Sequence, residues 1–151
     1  MIVQEFNNTR FGVKDIANFF IEKDYLFPDP FSNHVRIDSY VDRVLKYGII
    51  LVAEENSVIA GIAGMYANDY EKYSGHLQFI LVANEFQNKG IGKELIRHVL
   101  QTAKTNGMKR VMLTVDLGNK KAEQLYIKSG FIDSAEKHDK KEKKYMEFVF
   151  D

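Results

Sequence analysis

The sequence predicts an α/β fold, with one mixed, mostly antiparallel sheet and flanking helices, and three observations predict it. Apolar extended segments separated by turn signals run as an antiparallel meander through residues 49–66. A strand pattern over about 75–83 passes through a glycine turn into a helical pattern, then into a second strand pattern at 110–115. That strand–helix–strand order implies a parallel pair inside the sheet. No linker, repeat or low-complexity stretch interrupts the 151 residues, so the chain reads as a single domain, 1–151.

Each element has its own signals. Residues 2–6 read as a first strand and Asn7-Asn8-Thr9 as a turn. Ile16, Ala17, Phe19, Phe20 and Lys23 fit one helix, with Asp15 near its first turn. Residues 25–32 hold both prolines of the chain, Pro28 and Pro30, and exclude regular helix. A second helix follows, capped by Asp38 or Ser39, with Tyr40, Val41, Val44, Leu45 and Tyr47 on its apolar side and Gly48 at its end. Residues 49–54 and 58–66 make a hairpin around Glu55-Asn56-Ser57. Residues 68–74 are a polar, tyrosine-rich loop. The strand at 75–83 leads into a helix from Ile91 to about Asn106, stopped by Gly107. After the strand at 110–115, Gly118-Asn119 opens a helix through Ser129, and residues 131–135 and 144–150 close as two strands around a charged turn.

Composition narrows the function. Apolar residues make up 45% of the chain, with 11 Phe and 8 Tyr, which supports a sizeable core. Lys plus Arg equal Asp plus Glu at 21 each, which argues against a general nucleic-acid binder. There is no cysteine, so a disulfide scaffold, a Cys zinc site and a thiol nucleophile are excluded. No His/Asp/Glu cluster has metal spacing, so no metal is expected. The first residues lack a basic region followed by an apolar one, and no apolar run approaches membrane length. A soluble cytoplasmic protein, with no membrane partner, is the expectation. The mixed-sign run at residues 137–144 reads as a solvated hairpin tip.

The most informative stretch is Gln87-Asn88-Lys89-Gly90-Ile91-Gly92, where a strand ends and a helix begins. Two glycines two residues apart let backbone N–H groups turn around an anion at the positive end of a helix. The third glycine of a dinucleotide fingerprint is missing, since that position is Leu95, and the chain lacks the ending of an NTPase phosphate loop. On the turn alone, an anion cradle and a plain strand-to-helix turn both stand. A second constellation follows: Asn119, Ala122, Leu125, Tyr126, Gly130 and Phe131. Asn119 and Tyr126 are seven residues apart, nearly two helical turns, so they share a stripe with the small Ala122 between them. Taken alone, Tyr126 also fits a packed core aromatic.

Together, these two motifs resemble the GNAT superfamily of acetyl-CoA-dependent N-acetyltransferases, and the element order resembles it over essentially the whole chain. The resemblance is sharpest from about His76 to Phe131. It implies that backbone N–H groups of Gln87, Asn88, Lys89, Gly90, Ile91, Gly92 and Lys93 bind the pyrophosphate of the co-substrate, acetyl-CoA. It implies that the strand through Leu81 and Val82 pairs with the pantetheine amides, and that this strand splays from the parallel one at 110–115. Asn119 would hydrogen-bond the pantetheine arm, and Tyr126 would give a proton to the departing thiolate.

The residue types suit that chemistry. An amine attacks the thioester directly, the oxyanion is met by backbone N–H near Val82, and Tyr126 protonates the leaving thiolate. Holding both substrates together supplies much of the rate. A base must also take the ammonium proton. Family members often use a carboxylate on the strand before the loop, where this chain has His76 and Gln78. His76 lies six residues before Val82, so by period 2 both share a sheet face, and a histidine there is either a base or a solvated strand-start residue. Glu85 and Asp116 are the nearby carboxylates, with Glu85 read as capping the turn. Lys89, Lys93 and Lys128 read as phosphate partners or plain surface lysines, and His34 and His98 as exposed.

The resemblance further implies an acceptor pocket from residues 25–35, 68–74 and roughly 134–144. Tyr25, Phe27, Phe31, Tyr70 and Tyr73, with Asp29, Asp69 and Glu71, would suit a small cationic amine such as an amino sugar or polyamine. Alternatives are a protein N-terminal acetyltransferase, whose relatives usually show an Arg where this chain has Asp116, and a non-catalytic acyl-CoA-binding regulatory module. A homodimer fits the family pattern, though no segment here shows the interface.

Overall fold

The protein is described from a computed structural model, covering residues 1–135 and 142–151. The seven strands are β1 (Ile2–Glu5), β2 (Ile49–Glu55), β3 (Val58–Tyr66), β4 (Ser74–Val82), β5 (Arg110–Asp116), β6 (Ile132–Asp133) and β7 (Lys143–Val149). The helices are α1 (Val13–Lys23), α2 (Ile37–Tyr47), α3 (Ile91–Thr105) and α4 (Lys120–Lys128). Most of the expected hairpin tip lies outside the described residues. The strands form one sheet in the order β1-β2-β3-β4-β5-β7-β6. Among the described residues only β4 and β5 are parallel, with α3 as their crossover.

Local chemistry accounts for the elements. Asp15 accepts a 2.7 Å hydrogen bond from the Gly12 N–H and so closes the start of α1. The hairpin turn between β2 and β3 has Asn56 at φ 52° and Ser57 at φ 66°, the left-handed pair a two-residue turn requires. α2 begins earlier than its polar residues suggest. Ile37 is its first residue, and neither Asp38 nor Ser39 is the cap. Ile37, Tyr40, Val41 and Val44 form its buried stripe, so packing sets where the helix starts. Asp38 instead accepts from the Ser39 N–H at 2.8 Å within the first turn.

Two layers of core result. Phe20, Val41, Val44, Ile62, Phe79 and Leu81 pack under α1 and α2 on one face. Leu95, Ile96, Val99, Val111, Tyr126 and Phe131 pack with α3 and α4 on the other.

Two departures from regular sheet position the site. First, β4 and β5 pair only at Ser74–Arg110, Gly75–Val111 and His76–Met112, and then part. Second, Gly64 pairs with Phe79 while Met65 pairs with Leu77, so Gln78 is a bulged residue. Gly64 makes the bulge fit, since a Cβ there would overlap the Phe79 ring. The bulge resets the alternation. Leu77 belongs to the core under α3, whereas Phe79 and Leu81 belong to the core under α1 and α2. The expectation that His76 and Val82 share a face is therefore corrected. Val82 packs on the α3 side, and His76, adjacent to Leu77 and paired with Tyr66, faces the α1/α2 side.

Candidate functional site

The site grows from the end of β4. A short 3-10 turn at Asn84–Phe86 uses the N–H groups of Phe86 and Gln87. The next backbone N–H with a partner is that of Glu94, bonded to the Gly90 carbonyl. Among the described residues, the N–H groups of residues 88–93 make no hydrogen bond. Asn88 at φ 62° and Gly90 at φ 82° curl this stretch into the start of α3, whose N-cap, Gly90, brings no side chain to cover it. A row of unpaired amides at the positive end of a 15-residue helix has the donors and the field to receive an anion.

These amides open into a cleft of about 500 Å³. Asn88, Gly90, Ile91, Gly92 and Lys93 form one side, and Ile80, Leu81 and Val82 another. Asn119, Lys121, Ala122, Gln124, Leu125 and Lys128 come from α4, and Leu26 and Phe27 lie across the top. Gln87 ties the walls together: its Nε2 donates to the Val82 carbonyl at 3.2 Å, and its Oε1 accepts from the Lys121 ammonium. Gly92 lets α4 approach, because a Cβ there would stand 3.1 Å from Leu125 Cδ2. The lining includes Lys93, Lys121 and Lys128 and no carboxylate. Unpaired amides, lysines and an open approach at Gly90, where a Cβ would meet nothing within 4 Å, fit a diphosphate ester.

Among the described residues, the β5-facing edge of β4 has no strand partner beyond His76, so apart from the Val82 carbonyl, which Gln87 takes, its main chain is open to an amide-bearing arm laid alongside. Asn119 caps α4: its Oδ1 accepts from the Ala122 N–H at 3.2 Å, which leaves the side-chain amide hydrogens to donate. Tyr126 does not line the cleft: it belongs to the core beside the lining residue Leu125, only 6% exposed, with its ring 5.9 Å from that of Phe131. Among the described residues its hydroxyl has no hydrogen-bond partner, and burial pushes the phenol above its ordinary value. Lys89 does not line the cleft, and its ammonium sits 5.5 Å from the centre of the Phe86 ring.

His76 is half-buried at the last paired position of β4 and lines neither large cavity. Glu85 is exposed on the 3-10 turn, and Asp116 is taken by Lys143 at 2.7 Å. His98 is half-buried, contrary to expectation, because its Nδ1 bonds the Glu94 carbonyl at 3.0 Å. Lys121 and Gln124 are site residues the motif reading missed. Their signal was helical spacing, since 121, 124, 125 and 128 recur on one face of α4.

A second cavity of about 630 Å³ is lined by Asp29, Phe31, His34, Val35, Tyr40, Glu142 and Lys143. A wall of rings joins it to the first. Phe27 lies 4.9 Å from Phe31, and Phe31 5.4 Å from Tyr40. The Tyr40 hydroxyl donates to Oε1 of the bulged Gln78 at 3.4 Å, and burial, with Tyr66 nearby, pushes that phenol up. Asp24, 4% exposed, fixes the loop by accepting from the N–H groups of Phe31 (2.7 Å) and Ser32 (3.1 Å). Asp29 lies 2.7 Å from His34 Nε2 and accepts from Asn33 Nδ2 at 3.3 Å. Those bonds, His34 first, hold its carboxyl below the ordinary range.

Residues 68–74, expected to wall the acceptor pocket, line neither cavity. They enter β4 at its start, where Tyr73 accepts from the Lys109 N–H ahead of β5, while clefts between parallel strands open at the strands' carboxyl ends. Among the described residues, no group of three or more His, Asp or Glu could hold a metal ion, and no helix is long and apolar enough to cross a membrane.

The uncharacterized N-acetyltransferase YobR of Bacillus subtilis (strain 168) is 42% identical over 64 residues, 42% of this chain and 26% of that protein. This chain thus matches about a quarter of that relative's length. A 5-NmdU N-acetyltransferase of Pseudomonas phage PaMx11 is 30% identical over 116 residues, 77% of this chain and 79% of that protein. The solved structure of a GNAT-family acetyltransferase from Streptococcus pneumoniae shares the fold, with a TM-score of 0.72 and 22% identity over 99% of both chains. Residues 15–131 match the acetyltransferase (GNAT) family model, a span that takes in both the amide cradle and the α4 wall facing it, and on that match the chain belongs to the GNAT family.

Proposed function

We propose that the protein is an N-acetyltransferase that moves the acetyl group of acetyl-CoA to a primary amine of a small molecule, by direct attack with both substrates bound. The row of unpaired N–H groups at residues 88–93, facing a lysine-lined cleft, carries the reading. When bound, acetyl-CoA supplies the activated thioester. The amides of residues 88–93 and Lys93, Lys121 and Lys128 hold its diphosphate. The open edge of β4 at Leu81 and Val82 orients the amide-bearing arm, and the Asn119 amide donates to it. Tyr126 keeps its proton because burial disfavours phenolate, and it gives that proton to the departing sulfur. His76, where the parallel strands part, is the candidate base on β4. The chain has no cysteine, in keeping with transfer that forms no thioester on the protein. A cytoplasmic protein, alone or as a homodimer, belongs to this reading.

The phage relative's name makes 5-NmdU one acceptor to try, beside polyamines and amino sugars. The test incubates the protein with acetyl-CoA and such a panel, reading thiol release and a gain of about 42 Da, one acetyl for one proton. Tyr126→Phe is expected to lower kcat about 100-fold without changing the KM for acetyl-CoA. Because Tyr126 is pushed above the ordinary phenol value of 10.0, kcat should not fall as pH rises to that value. Coenzyme A is expected to raise Tm, since it binds only the folded chain. No rise in Tm would overturn the reading. Binding without turnover of any amine would favour the non-catalytic acyl-CoA-binding alternative. Acetylation of peptide N-termini alone would favour the protein-substrate one.

A further inference from the structure

We propose that His34, held by Asp29, is the proton acceptor for the incoming amine, and that the second cavity receives that amine in its ammonium form. The inference rests on the acetyl-transfer reading and puts His34, which lines a cavity, in place of His76 as the base.

Three observations carry it. The first is the pair itself. Asp29 Oδ2 and His34 Nε2 are 2.7 Å apart, and both residues line the cavity. With Nε2–H donating to the carboxylate, the ring is held in the tautomer that leaves Nδ1 as an acceptor. Asn33 supports the carboxylate from its other side, and the two bonds keep it anionic.

The second is the setting. The charged and titratable groups facing His34 across the cavity are Asp29, Glu142, Lys143 and Tyr40. Lys143 is neutralised by Asp116 at 2.7 Å, so among the described residues lining the cavity the remaining formal charge, on Asp29 and Glu142, is negative and favours a cation. Phe31 and Tyr40 add rings that suit the apolar body of an amine, while the Arg43 guanidinium already sits 5.3 Å from the centre of the Tyr40 ring. Buried Asp24 pins the loop between Asp29 and His34 through two main-chain bonds, so the pair is held in place.

The third is the route. Tyr40 lines this cavity and reaches the bulged Gln78, on the strand that has just parted from β5. Phe27 lines the cofactor cleft and packs on Phe31 of the acceptor cavity. The two cavities thus share the ring wall of Phe27, Phe31 and Tyr40. His76 lines neither.

The step balances. His34 Nδ1 takes one proton from the ammonium. The freed nitrogen forms the C–N bond to the acetyl carbon as the C–S bond breaks. The sulfur takes the Tyr126 proton, Tyr126 regains a proton from the acylated nitrogen, and His34 releases its proton to solvent. The net products are an amide, a free thiol and one proton.

The experiment uses the full chain and an amine that the wild type acetylates, with kcat/KM measured from pH 6 to pH 9.5 (a span of roughly three units about the ordinary imidazole range). His34→Gln, which can still donate to Asp29, is expected to lower kcat/KM for the amine roughly 30-fold near pH 7. The loss should shrink as the amine begins to lose its own proton, and the KM for acetyl-CoA should not move. In His34→Ala, added imidazole should restore part of the rate, and it should leave the wild type unaffected. Asp29→Asn should shift the acidic limb of the profile. A wild-type rate in His34→Gln would overturn the proposal, as would a loss that is constant with pH and not rescued. So would removal of the acidic limb by His76→Gln but not by His34→Gln. Absence of wild-type turnover with every amine would instead overturn the acetyl-transfer reading and this inference with it.

Discussion

The proposed cofactor cleft and the proposed acceptor cavity share a wall of aromatic rings but are built on different terms. The cofactor cleft is made largely of main chain: open amides at 88–93, the unpaired edge of β4 and two glycines that keep side chains out of the way. The acceptor cavity is made of side chains drawn from an irregular loop, the first turns of α2 and the start of β7. A main-chain site recognises what all users of one cofactor share, and it needs only the fold to be correct. A side-chain site can be rebuilt for a different amine without disturbing the first. The comparison predicts that substitutions at one end leave the other end's binding constants alone, and each variant below can break that separation.

The largest effect is expected from Gly90→Val. Gly90 sits at φ 82°, a conformation that costs a β-branched residue about 1–2 kcal/mol. Its Cβ would meet nothing within 4 Å, so the fold can accept the side chain, but that open space is where an anion approaches the amides. Losing charge-assisted bonds to the ligand costs about 2 kcal/mol of binding, so coenzyme A binding should weaken roughly 30-fold by calorimetry. The KM for the amine at saturating acetyl-CoA should stay put. Binding of coenzyme A within about threefold of wild type, a change of well under 1 kcal/mol, would show that the cradle is only a turn.

The same contrast explains what the sequence made legible. The hairpin of β2 and β3, the parallel pair joined by α3 and the cradle all follow from local rules on spacing and glycine placement. The bulge at Gln78 escaped because the face argument for His76 and Val82 assumed unbroken period 2. Gly64 in the middle of β3 was its available sign, since a strand glycine often marks a bulge or a close approach. The start of α2 was misplaced because burial of Ile37 outweighed the capping preference of Asp38 and Ser39. The insertion of β7 between β5 and β6 is a long-range pairing that no local pattern encodes. Asp29 and Phe31 were named with their loop, but His34, Tyr40 and Glu142 join them only through the fold.

A middle-sized effect tests the acceptor end alone. Asp24 is buried, and both its oxygens accept main-chain N–H groups of the loop that carries Asp29 and His34. Asp24→Asn places an amide hydrogen against one of those N–H groups and should cost about 2 kcal/mol of local order. The expected reading is a roughly tenfold rise in the KM for the amine, with the Tm shift caused by coenzyme A unchanged. An equal loss at both ends would mean that the ring wall of Phe27 and Phe31 couples the cavities, which the comparison denies.

The smallest effect belongs to Lys121, the cleft residue that motif reading passed over. Its ammonium is exposed and already engaged by the Gln87 side chain, so solvent screens what it offers a phosphate. Lys121→Gln should raise the KM for acetyl-CoA about threefold at low ionic strength, within the range of an exposed ion pair. The difference should fade above about 0.5 M salt, where the screening length falls to a few ångströms. A salt-independent rise would point instead to lost bracing of Gln87, which holds the loop to the Val82 carbonyl. In that case Gln87→Ala should reproduce the whole effect, and the cofactor end would depend on side chains more than its open amides suggest.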